Sequence, residues 1–213
     1  MKKPTALLRL ILSLAALLLV SPSVLRAQFA FRTNNGAITI TRYTGSGRDV
    51  TIPDWTNGYR VTSLGDSVFN SCAALTNVTI GTNITSLGGR VSSLCWLLTA
   101  ITVNTNSPAY SSVAGVLFNK RQTTLLECPQ GKYGNYTIPG SVTNIGNGAF
   151  GGCGLTNVTL PNSVVSLGVS AFEGCPILGS VTIPNSVTSI GQWAFRHCDS
   201  LTNLTIGAGV TSI

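Results

Sequence analysis

The residues best suited to chemistry in this sequence are its cysteines and its single histidine. His197, Cys198 and Asp199 are consecutive, and their imidazole, thiol and carboxylate are the groups used by cysteine hydrolases. Consecutive side chains point in different directions, however, so these three do not predict a nucleophile beside its base. The 213 residues contain only six acidic side chains, which leaves little material for a paired-carboxylate site. We therefore expect no catalytic residues, no enzyme activity and no cofactor.

Five of the six cysteines occupy one position of a recurring pattern. They are Cys72, Cys95, Cys153, Cys175 and Cys198. Zinc sites use local pairs such as Cys-x-x-Cys, and the sequence has none, so we expect no metal site. Two interpretations stay open: a column of small buried thiols, or disulfides between neighbouring repeats. Cys128 lies outside the pattern and is expected to be free.

The elements that position these cysteines form an internal repeat of 22–23 residues. The segment Leu155–Leu160 recurs as Leu178–Ile183 and Leu201–Ile206, and earlier copies begin at Leu75 and Leu98. A second block with the pattern Ile-Gly-x-x-Ala-Phe-x-x-Cys precedes most of these copies. A fixed period of this length is typical of a solenoid, in which each repeat forms one rung and buries its apolar face against its neighbours.

Each rung is predicted to contain one short β-strand. Apolar side chains at alternate positions of Leu155–Leu160 point inward, and Pro161 or Pro184 ends the strand because proline cannot donate to a β-ladder. The phenylalanine and cysteine of the second block fill the centre of the rung. The predicted core residues are Phe69, Phe150, Phe172 and Phe195, together with the five repeat cysteines.

The repeat closely resembles the BspA-type leucine-rich repeat, which is also known from treponemal surface proteins. The resemblance extends from about residue 49 to the end and rests on the block seen in Ile190–Cys198. It implies a leucine-rich-repeat solenoid with short parallel β-strands and irregular, turn-rich return segments. It also implies a bacterial protein that acts in cell-surface adhesion and protein recognition.

Residues 28–48 are predicted to form an N-terminal cap. Phe29–Thr33 and Ala37–Tyr43 alternate apolar and polar residues, and the Asn35–Gly36 pair between them is a strong signal for a β-hairpin. The cap is expected to cover the first rung of a solenoid that extends over residues 49–213.

One rung is expected to be enlarged, at about residues 104–134. Val116–Phe118 and Thr124–Leu126 resemble two strands, and they predict a hairpin that leaves the rung.

One repeat lacks its phenylalanine and has Ser92 instead. A missing buried ring costs about 3–5 kcal/mol if nothing fills the space. Trp96 or Leu94 is expected to fill it, so Trp96→Ala is expected to lower the melting temperature sharply.

The first 27 residues indicate a secretory signal peptide. Lys2 and Lys3 precede the apolar run Leu10–Val20, and Ala27 supplies a small residue at the cleavage point. The run is shorter than the roughly 20 residues of a membrane span, and an uncleaved anchor is the alternative. We therefore expect a secreted or cell-surface protein with no membrane span in its mature chain. Basic residues of the mature chain are scattered, so nucleic acid is not an expected partner.

The candidate binding surface is a row of threonines between the inward residues of successive strands. Asparagines run beside this row on the same outer face. The predicted face consists of Thr79, Thr102, Thr159, Thr182, Thr205, Asn77, Asn157 and Asn203. One interpretation is a set of β-favouring polar residues that keep the sheet soluble. The other is a neutral recognition face for a protein or a glycan; a regular threonine array is also found in ice-binding solenoids.

The last repeat is incomplete and ends at Ile213. Leu201, Leu204 and Ile206 are then expected on an uncapped edge, which favours self-association or continuation in a longer protein. Three function hypotheses follow. The protein is an exported binding or adhesion module, a structural spacer within a larger surface protein, or the non-catalytic front part of an exported enzyme.

Overall fold

The computed structural model describes residues 28–213, so the predicted signal peptide lies outside the described residues. This part of the chain contains 18 β-strands and no helix, and hence no helical segment that could cross a membrane. The strands are β1 (Phe29–Asn34), β2 (Ala37–Tyr43), β3 (Asp49–Thr51), β4 (Trp55–Thr56), β5 (Tyr59–Leu64), β6 (Asn77–Ile80), β7 (Ser86–Leu87), β8 (Ala100–Val103), β9 (Tyr110–Val113), β10 (Val116–Asn119), β11 (Thr124–Glu127), β12 (Tyr133–Thr137), β13 (Asn144–Ile145), β14 (Gly154–Thr159), β15 (Ser166–Leu167), β16 (Ser180–Ile183), β17 (Ser189–Ile190) and β18 (Asn203–Ile206).

The strands build a parallel β-solenoid of about seven rungs, with repeats about 23 residues apart. A rung consists of a front strand, a return strand and the turn that follows. The front strands of rungs 1 to 7 are β3, β6, β8, β12, β14, β16 and β18. The return strands of rungs 1 to 6 are β5, β7, β11, β13, β15 and β17. The predicted leucine-rich-repeat solenoid is confirmed.

Equivalent residues of successive rungs stack in register. Thr159 in β14 pairs with Thr182 in β16, which pairs with Thr205 in β18. Val158 and Val181, one position earlier, are buried. Alternate residues of a strand point to opposite faces, so each front strand places apolar side chains in the core and threonine outside.

Two hairpins lie at the N-terminal end. β1 and β2 are antiparallel and joined by Asn35 and Gly36, whose φ angles of 47° and 76° suit a tight hairpin turn. β2 also pairs in parallel with β5 and thereby extends the return sheet. A second hairpin joins β4 to β5 through Asn57 and Gly58, which also have positive φ angles.

The insertion after β8 contains three strands. β9 and β10 are antiparallel, as are β10 and β11, and β11 then pairs in parallel with β13 of the return sheet. Val116 and Phe118 of β10 are fully buried. The predicted hairpin is present as β10 and β11, but the expectation that it leaves the rung is wrong. Its apolar side chains are part of the core, and burying them keeps the hairpin within the solenoid wall.

The turn between β9 and β10 separates the front strands β8 and β12. The Ile101 N–H donates to the Gly115 carbonyl at 2.8 Å, and the Val103 N–H donates to Ser112 Oγ at 2.9 Å. Gly115 has a φ of 78°, and a Cβ there would lie 2.9 Å from the Cβ of Ala100, so glycine is required. The front sheet is thus divided into β3-β6-β8 and β12-β14-β16-β18.

We call residues 28–103 the N-terminal block and residues 124–213 the C-terminal block. Each block has its own hydrophobic core, and β10 of the insertion contributes to both. Leu117 packs in the N-terminal core, whereas Val116 and Phe118 pack in the C-terminal core. Because neighbouring residues of a strand point to opposite sides, one inserted strand joins two cores.

The last front strand, β18, forms one edge of the described structure. Leu204 and Ile206 keep 40% and 47% of their surface exposed. Beyond β17, the stack of return strands is extended by a single parallel bridge, between Ser189 of β17 and Ser212.

Candidate functional site

The predicted threonine face is divided into two rows. Thr79 pairs with Thr102 in the N-terminal block, and Thr159, Thr182 and Thr205 are in register in the C-terminal block. The sequence predicted that these threonines line one outer face, and the structure interrupts that face. The turn between β9 and β10 lies between β8 and β12, so the two rows belong to separate sheets.

Thr51 and Thr137 complete the two rows and were missed by the sequence analysis. Each pairs in register with the first predicted threonine of its block. The tripeptide Thr-Ile-Pro begins at both positions and could have identified them. The leading leucine of the repeat is replaced there by Gly47 and Tyr133, which concealed the pattern.

The predicted asparagines lie two residues before the threonines on the same face. Asn157 and Asn203 pair in register with Ser180 on the strand between them. Ser180 Oγ donates to Asn157 Oδ1 at 3.3 Å, and Thr102 Oγ1 donates to Asn77 Oδ1 at 3.4 Å. These amides therefore link neighbouring rungs as well as facing solvent.

A groove of about 600 Å³ lies on the front face of the C-terminal block. This volume is within the range of about 300–1,000 Å³ that is usual for ligand sites. We call it the front groove; its polar lining includes Asn157, Thr159, Asn162, Thr182, Asn185 and Thr205. The groove therefore contains most of the predicted face residues of this block and adds the two asparagines that follow the strands.

None of the residues that line the front groove is charged. Glu173 and Arg196 of the same rungs lie in turns outside the groove, where Arg196 Nη1 is 3.5 Å from Glu173 Oε1. Hydroxyl and amide side chains both donate and accept hydrogen bonds. The groove therefore suits a neutral ligand with many polar groups.

The predicted phenylalanines stack from rung to rung. The ring centroids of Phe150 and Phe172 are 4.7 Å apart, and those of Phe172 and Phe195 are 5.2 Å apart. Phe69 packs against Tyr43 of β2 at 5.8 Å in the N-terminal block. Phe69, Phe150 and Phe172 are fully buried, whereas Phe195 is only partly buried. These rings position the front strands by filling the space between them and the return strands.

The six cysteines are free thiols in the structure. In regular rungs the thiol donates to the carbonyl of the phenylalanine one rung before. The pairs are Cys95 with Phe69 at 2.7 Å, Cys175 with Phe150 at 3.0 Å, and Cys198 with Phe172 at 3.0 Å. Cys153 donates instead to the Cys128 carbonyl at 3.2 Å, and Cys72 makes a long contact with the Asn70 carbonyl at 3.8 Å.

Most of these thiols are poor nucleophiles. Burial raises the pKa of Cys95 to about 12 and the pKa of Cys153 well above its usual range. Cys198 differs because its hydrogen bonding with the neighbouring Cys175 side chain lowers its pKa. A thiol that stays protonated acts as a small core side chain and a weak donor.

Cys128 has a place in the repeat after all. Its N–H donates to the Ala149 carbonyl at 2.6 Å, just as the Phe150 N–H donates to the Ala171 carbonyl at 2.7 Å in the next rung. Cys128 therefore occupies the phenylalanine position of rung 3. The ring of Tyr136 packs 6.2 Å from Phe150 and continues the aromatic column.

The phenylalanine position of rung 2 is Ser92, and a buried carboxylate completes it. Glu127 accepts hydrogen bonds from the Val91 N–H at 2.9 Å and from the Ser92 N–H at 3.0 Å, and it also bonds the Ser92 hydroxyl. In a regular rung the phenylalanine N–H donates to a backbone carbonyl of the next rung. Glu127 replaces that carbonyl, and burial raises the pKa of Glu127.

Two further polar side chains complete this junction. Gln130 Oε1 accepts from the Cys95 N–H at 3.0 Å, and Gln130 Nε2 donates to the Gly151 carbonyl at 3.0 Å. Arg90 Nη2 donates to the same carbonyl at 2.9 Å. We call Arg90, Ser92, Glu127 and Gln130 the seam.

Trp96 and Leu94 do not fill the missing-ring space. They retain 50% and 47% of their surface exposed, so the prediction that either replaces the phenylalanine is wrong. The buried hydroxyl and amide of Ser92 need hydrogen-bond partners, which an apolar ring could not provide. A lone Glu in an apolar segment, Glu127, was the signal that could have indicated this.

The adjacent His197, Cys198 and Asp199 do not form a catalytic group. His197 is exposed, whereas the Cys198 thiol points inward to the Phe172 carbonyl. Within residues 28–213, no three His, Cys, Asp or Glu side chains are grouped so that they could hold a metal ion.

The family model described as "BspA type Leucine rich repeat region" matches residues 38–124 and 127–213, in six copies. No curated protein matches the sequence significantly.

Several solved structures share the fold. A leucine-rich repeat protein from Eubacterium ventriosum is 22% identical, over 84% of this chain and 69% of that one, with a TM-score of 0.53. The T. pallidum leucine-rich repeat protein is 26% identical, over 84% and 79%, with a TM-score of 0.50. The pneumococcal vaccine antigen PcpA is 22% identical, over 72% and 44%, with a TM-score of 0.59. The first two are described as leucine-rich repeat proteins, and the fold is consistent with protein binding.

Proposed function

The chain belongs to the BspA-type leucine-rich repeat family, and on that premise we propose that it is an exported recognition module that attaches to a protein or glycan at a cell surface. The observation that carries the proposal is the front groove. A neutral groove of about 600 Å³ on a rigid sheet face is the feature of the described chain best suited to holding a ligand.

The regular stacking beneath the groove supports a binding role. Thr159, Thr182 and Thr205 are fixed by parallel pairing, and the stacked rings of Phe150 and Phe172 lie in the core behind them. Groups held in place by packing lose little conformational freedom when a ligand binds. The face is therefore preorganised for recognition.

Binding through this face can be tested with a matched pair of variants. The panel of immobilised ligands contains extracellular-matrix proteins and glycans. We expect the combined variant Thr159→Lys, Thr182→Lys and Thr205→Lys to lose binding, because unpaired bulky charges would occupy the groove. The control carries Thr79→Lys and Thr102→Lys on the other block and is expected to bind normally. If the combined variant binds as well as the unmodified chain, the front groove is not the binding site. If the unmodified chain binds nothing in the panel, the result favours a spacer.

Export forms a separate part of the proposal. The basic start, apolar run and Ala27 support secretion, and one structural relative is described as a vaccine antigen. Residues 1–27 fused to a reporter that is active only outside the cytoplasm should yield activity, and N-terminal sequencing should find Gln28 first. A matched fusion with Leu17→Arg and Leu18→Arg should stay inside, since two charges interrupt the apolar run. Equal activity of both fusions would contradict the signal-peptide assignment.

A further inference from the structure

We infer that the front groove binds an uncharged polysaccharide chain that lies along the solenoid axis, with one sugar ring over each rung. The inference rests on the proposed function and specifies the ligand class of the same groove.

The first argument is the period of the groove. Thr159, Thr182 and Thr205 are in register on neighbouring strands, and Asn162 and Asn185 occupy equivalent positions one rung apart. Neighbouring strands of a sheet are about 4.8 Å apart. A ligand that makes the same contact on every rung must therefore repeat at about that distance.

An extended polypeptide does not have this period. Its residues advance by about 3.3 Å, so side chains on one face recur at roughly 6.6 Å and leave register with the rungs. Backbone pairing would require a sheet edge, whereas the groove lies on the face of the sheet. A pyranose ring in an extended glycan is close to one strand spacing in length, so successive rings can meet successive rungs.

The second argument is the state of the threonine hydroxyls. Thr159, Thr182 and Thr205 make no side-chain hydrogen bond within residues 28–213, and all three are exposed. Other threonines of the repeat donate to a backbone carbonyl of the preceding rung, as Thr188 does to Val165 at 3.2 Å and Thr211 does to Thr188 at 3.1 Å. The front threonines are thus available to an external ligand, while the others stabilise the stack.

The third argument is the chemistry of the lining. The hydroxyl and amide groups donate and accept, which matches the hydroxyl groups of a sugar. Leu160, Ile183 and Pro184 also line the groove but are themselves buried, so the surface that faces a ligand is formed mainly by the polar side chains. No charged side chain lines the groove, so it offers no partner for the carboxylate of an acidic sugar or for a sulfate group.

The test measures binding of the full chain to neutral oligosaccharides by calorimetry. The probes are β-1,4-linked glucose, β-1,3-linked glucose and β-1,4-linked mannose oligomers of two to six rings, with heparin oligosaccharides as the acidic comparison. We expect affinity for at least one neutral series to increase with each ring and to level off at about three. Three front strands, β14, β16 and β18, contribute residues to the lining of the groove.

A matched pair of substitutions locates the site. Thr182→Lys should weaken oligosaccharide binding by about tenfold or more, because it places an unpaired charge at the centre of the groove. Thr102→Lys, at the equivalent position of the N-terminal block, should leave affinity unchanged. Circular dichroism should be the same for both variants, since both positions are exposed. The unfolding midpoint should change little in either variant, because Thr102→Lys removes only the exposed 3.4 Å hydrogen bond to Asn77.

Three outcomes would overturn the inference. Absence of binding to every neutral series, affinity that does not depend on chain length, or equal binding of heparin would each exclude the assigned ligand. If no oligosaccharide competes but a protein ligand is lost with Thr182→Lys, the ligand is a protein and the proposed function remains. If neither class of ligand depends on Thr182, the proposed function fails together with the inference.

Discussion

Two junctions between neighbouring rungs satisfy the buried phenylalanine position in different ways. One joins rungs 5 and 6, and the other joins rungs 2 and 3. Between rungs 5 and 6, Phe172 stacks on Phe195 and the Phe172 N–H donates to the Ala194 carbonyl at 2.7 Å. At the seam, Ser92 replaces the ring and the Glu127 carboxylate replaces the carbonyl. Between equal repeats, backbone carbonyls accept the hydrogen bonds of the buried amides. Between unequal repeats, a side chain from the next rung must accept them instead.

The difference follows from the insertion. The turn between β9 and β10 separates β8 from β12, and the segment after β11 is too short to form the usual turn with its phenylalanine. The amides of Val91 and Ser92 would then be buried without partners, which is costly. Glu127, the last residue of β11, supplies two oxygens to these amides. The inserted segment therefore provides the hydrogen-bond acceptors that the irregular junction would otherwise lack.

The largest effect is expected from the regular junction. Phe172→Ala removes a fully buried ring that is stacked on both sides, and it should lower the free energy of unfolding by about 3–5 kcal/mol. Denaturant unfolding followed by circular dichroism measures this. Phe195→Ala is the matched control and should cost less, because that ring is only partly buried. Equal losses would show that burial does not govern this column.

The seam should be less sensitive than the aromatic stack. Glu127→Leu leaves the Val91 and Ser92 amides unpaired but also removes a buried polar group, so a loss of about 1–3 kcal/mol is expected. Hydrogen exchange should show those two amides losing protection. In the control, Glu173→Leu removes a partly exposed carboxylate and should change stability by less than about 1 kcal/mol. Unchanged protection at Val91 and Ser92 would contradict the role assigned to Glu127.

The two junctions should also differ in their response to pH. Burial raises the pKa of Glu127 above its usual 4.5, so the unfolded chain releases this proton at lower pH than the folded chain. The free energy of unfolding contributed by Glu127 is therefore greatest below pH 4.5 and falls as the pH rises through the folded pKa. Glu127→Gln should abolish that fall, and Phe172→Ala should preserve it. The difference between wild-type and Glu127→Gln unfolding curves across pH isolates the effect; a difference of opposite sign would refute it.

A smaller, stabilising effect is expected at Tyr136. Its hydroxyl is buried and has no hydrogen-bond partner within residues 28–213. Tyr136→Phe keeps the ring against Phe150 and should raise the free energy of unfolding by about 1 kcal/mol. Tyr43→Phe is the control and should be destabilising, because the Tyr43 hydroxyl accepts a hydrogen bond from the Gly47 N–H at 2.9 Å. Thermal denaturation distinguishes the two directions, and a loss of stability in Tyr136→Phe would indicate an unseen partner.

The smallest effect is expected from Trp96→Ala. The ring is half exposed, so its removal should cost about 1 kcal/mol or less, well below the loss in Phe172→Ala. If Trp96→Ala lowers the melting temperature as much as Phe172→Ala does, Trp96 fills the space beside Ser92 and this prediction is wrong.

The comparison also shows where sequence reasoning succeeded and failed. The period of 22–23 residues predicted the rungs and their parallel strands, because equal repeats stack with equal residues in register. The same reasoning failed beside Ser92, where it searched for a replacement ring nearby in the sequence. The actual partner, Glu127, lies 35 residues away and is brought close only by the path of the insertion.

For the candidate site, the sequence identified five of the front threonines but not their arrangement. Alternation within each strand was sufficient to place Thr182 and its equivalents on the outer face. The division into two rows depends on Gly115, whose turn lies between β8 and β12. The front groove depends in addition on Asn162 and Asn185, which come close to the threonines only once the chain has bent after each strand.

The sequence by itself therefore determined the repeating elements: strand, bend, return and aromatic turn are each set by local patterns that recur at a fixed interval. Only the tertiary structure decided how the irregular segment joins them, which buried groups meet at the seam, and where the front face is interrupted. The physical reason is the range of the interactions. Contacts between equal rungs repeat the local pattern and can be extrapolated along the chain, whereas contacts made by an insertion have no second copy from which to predict them.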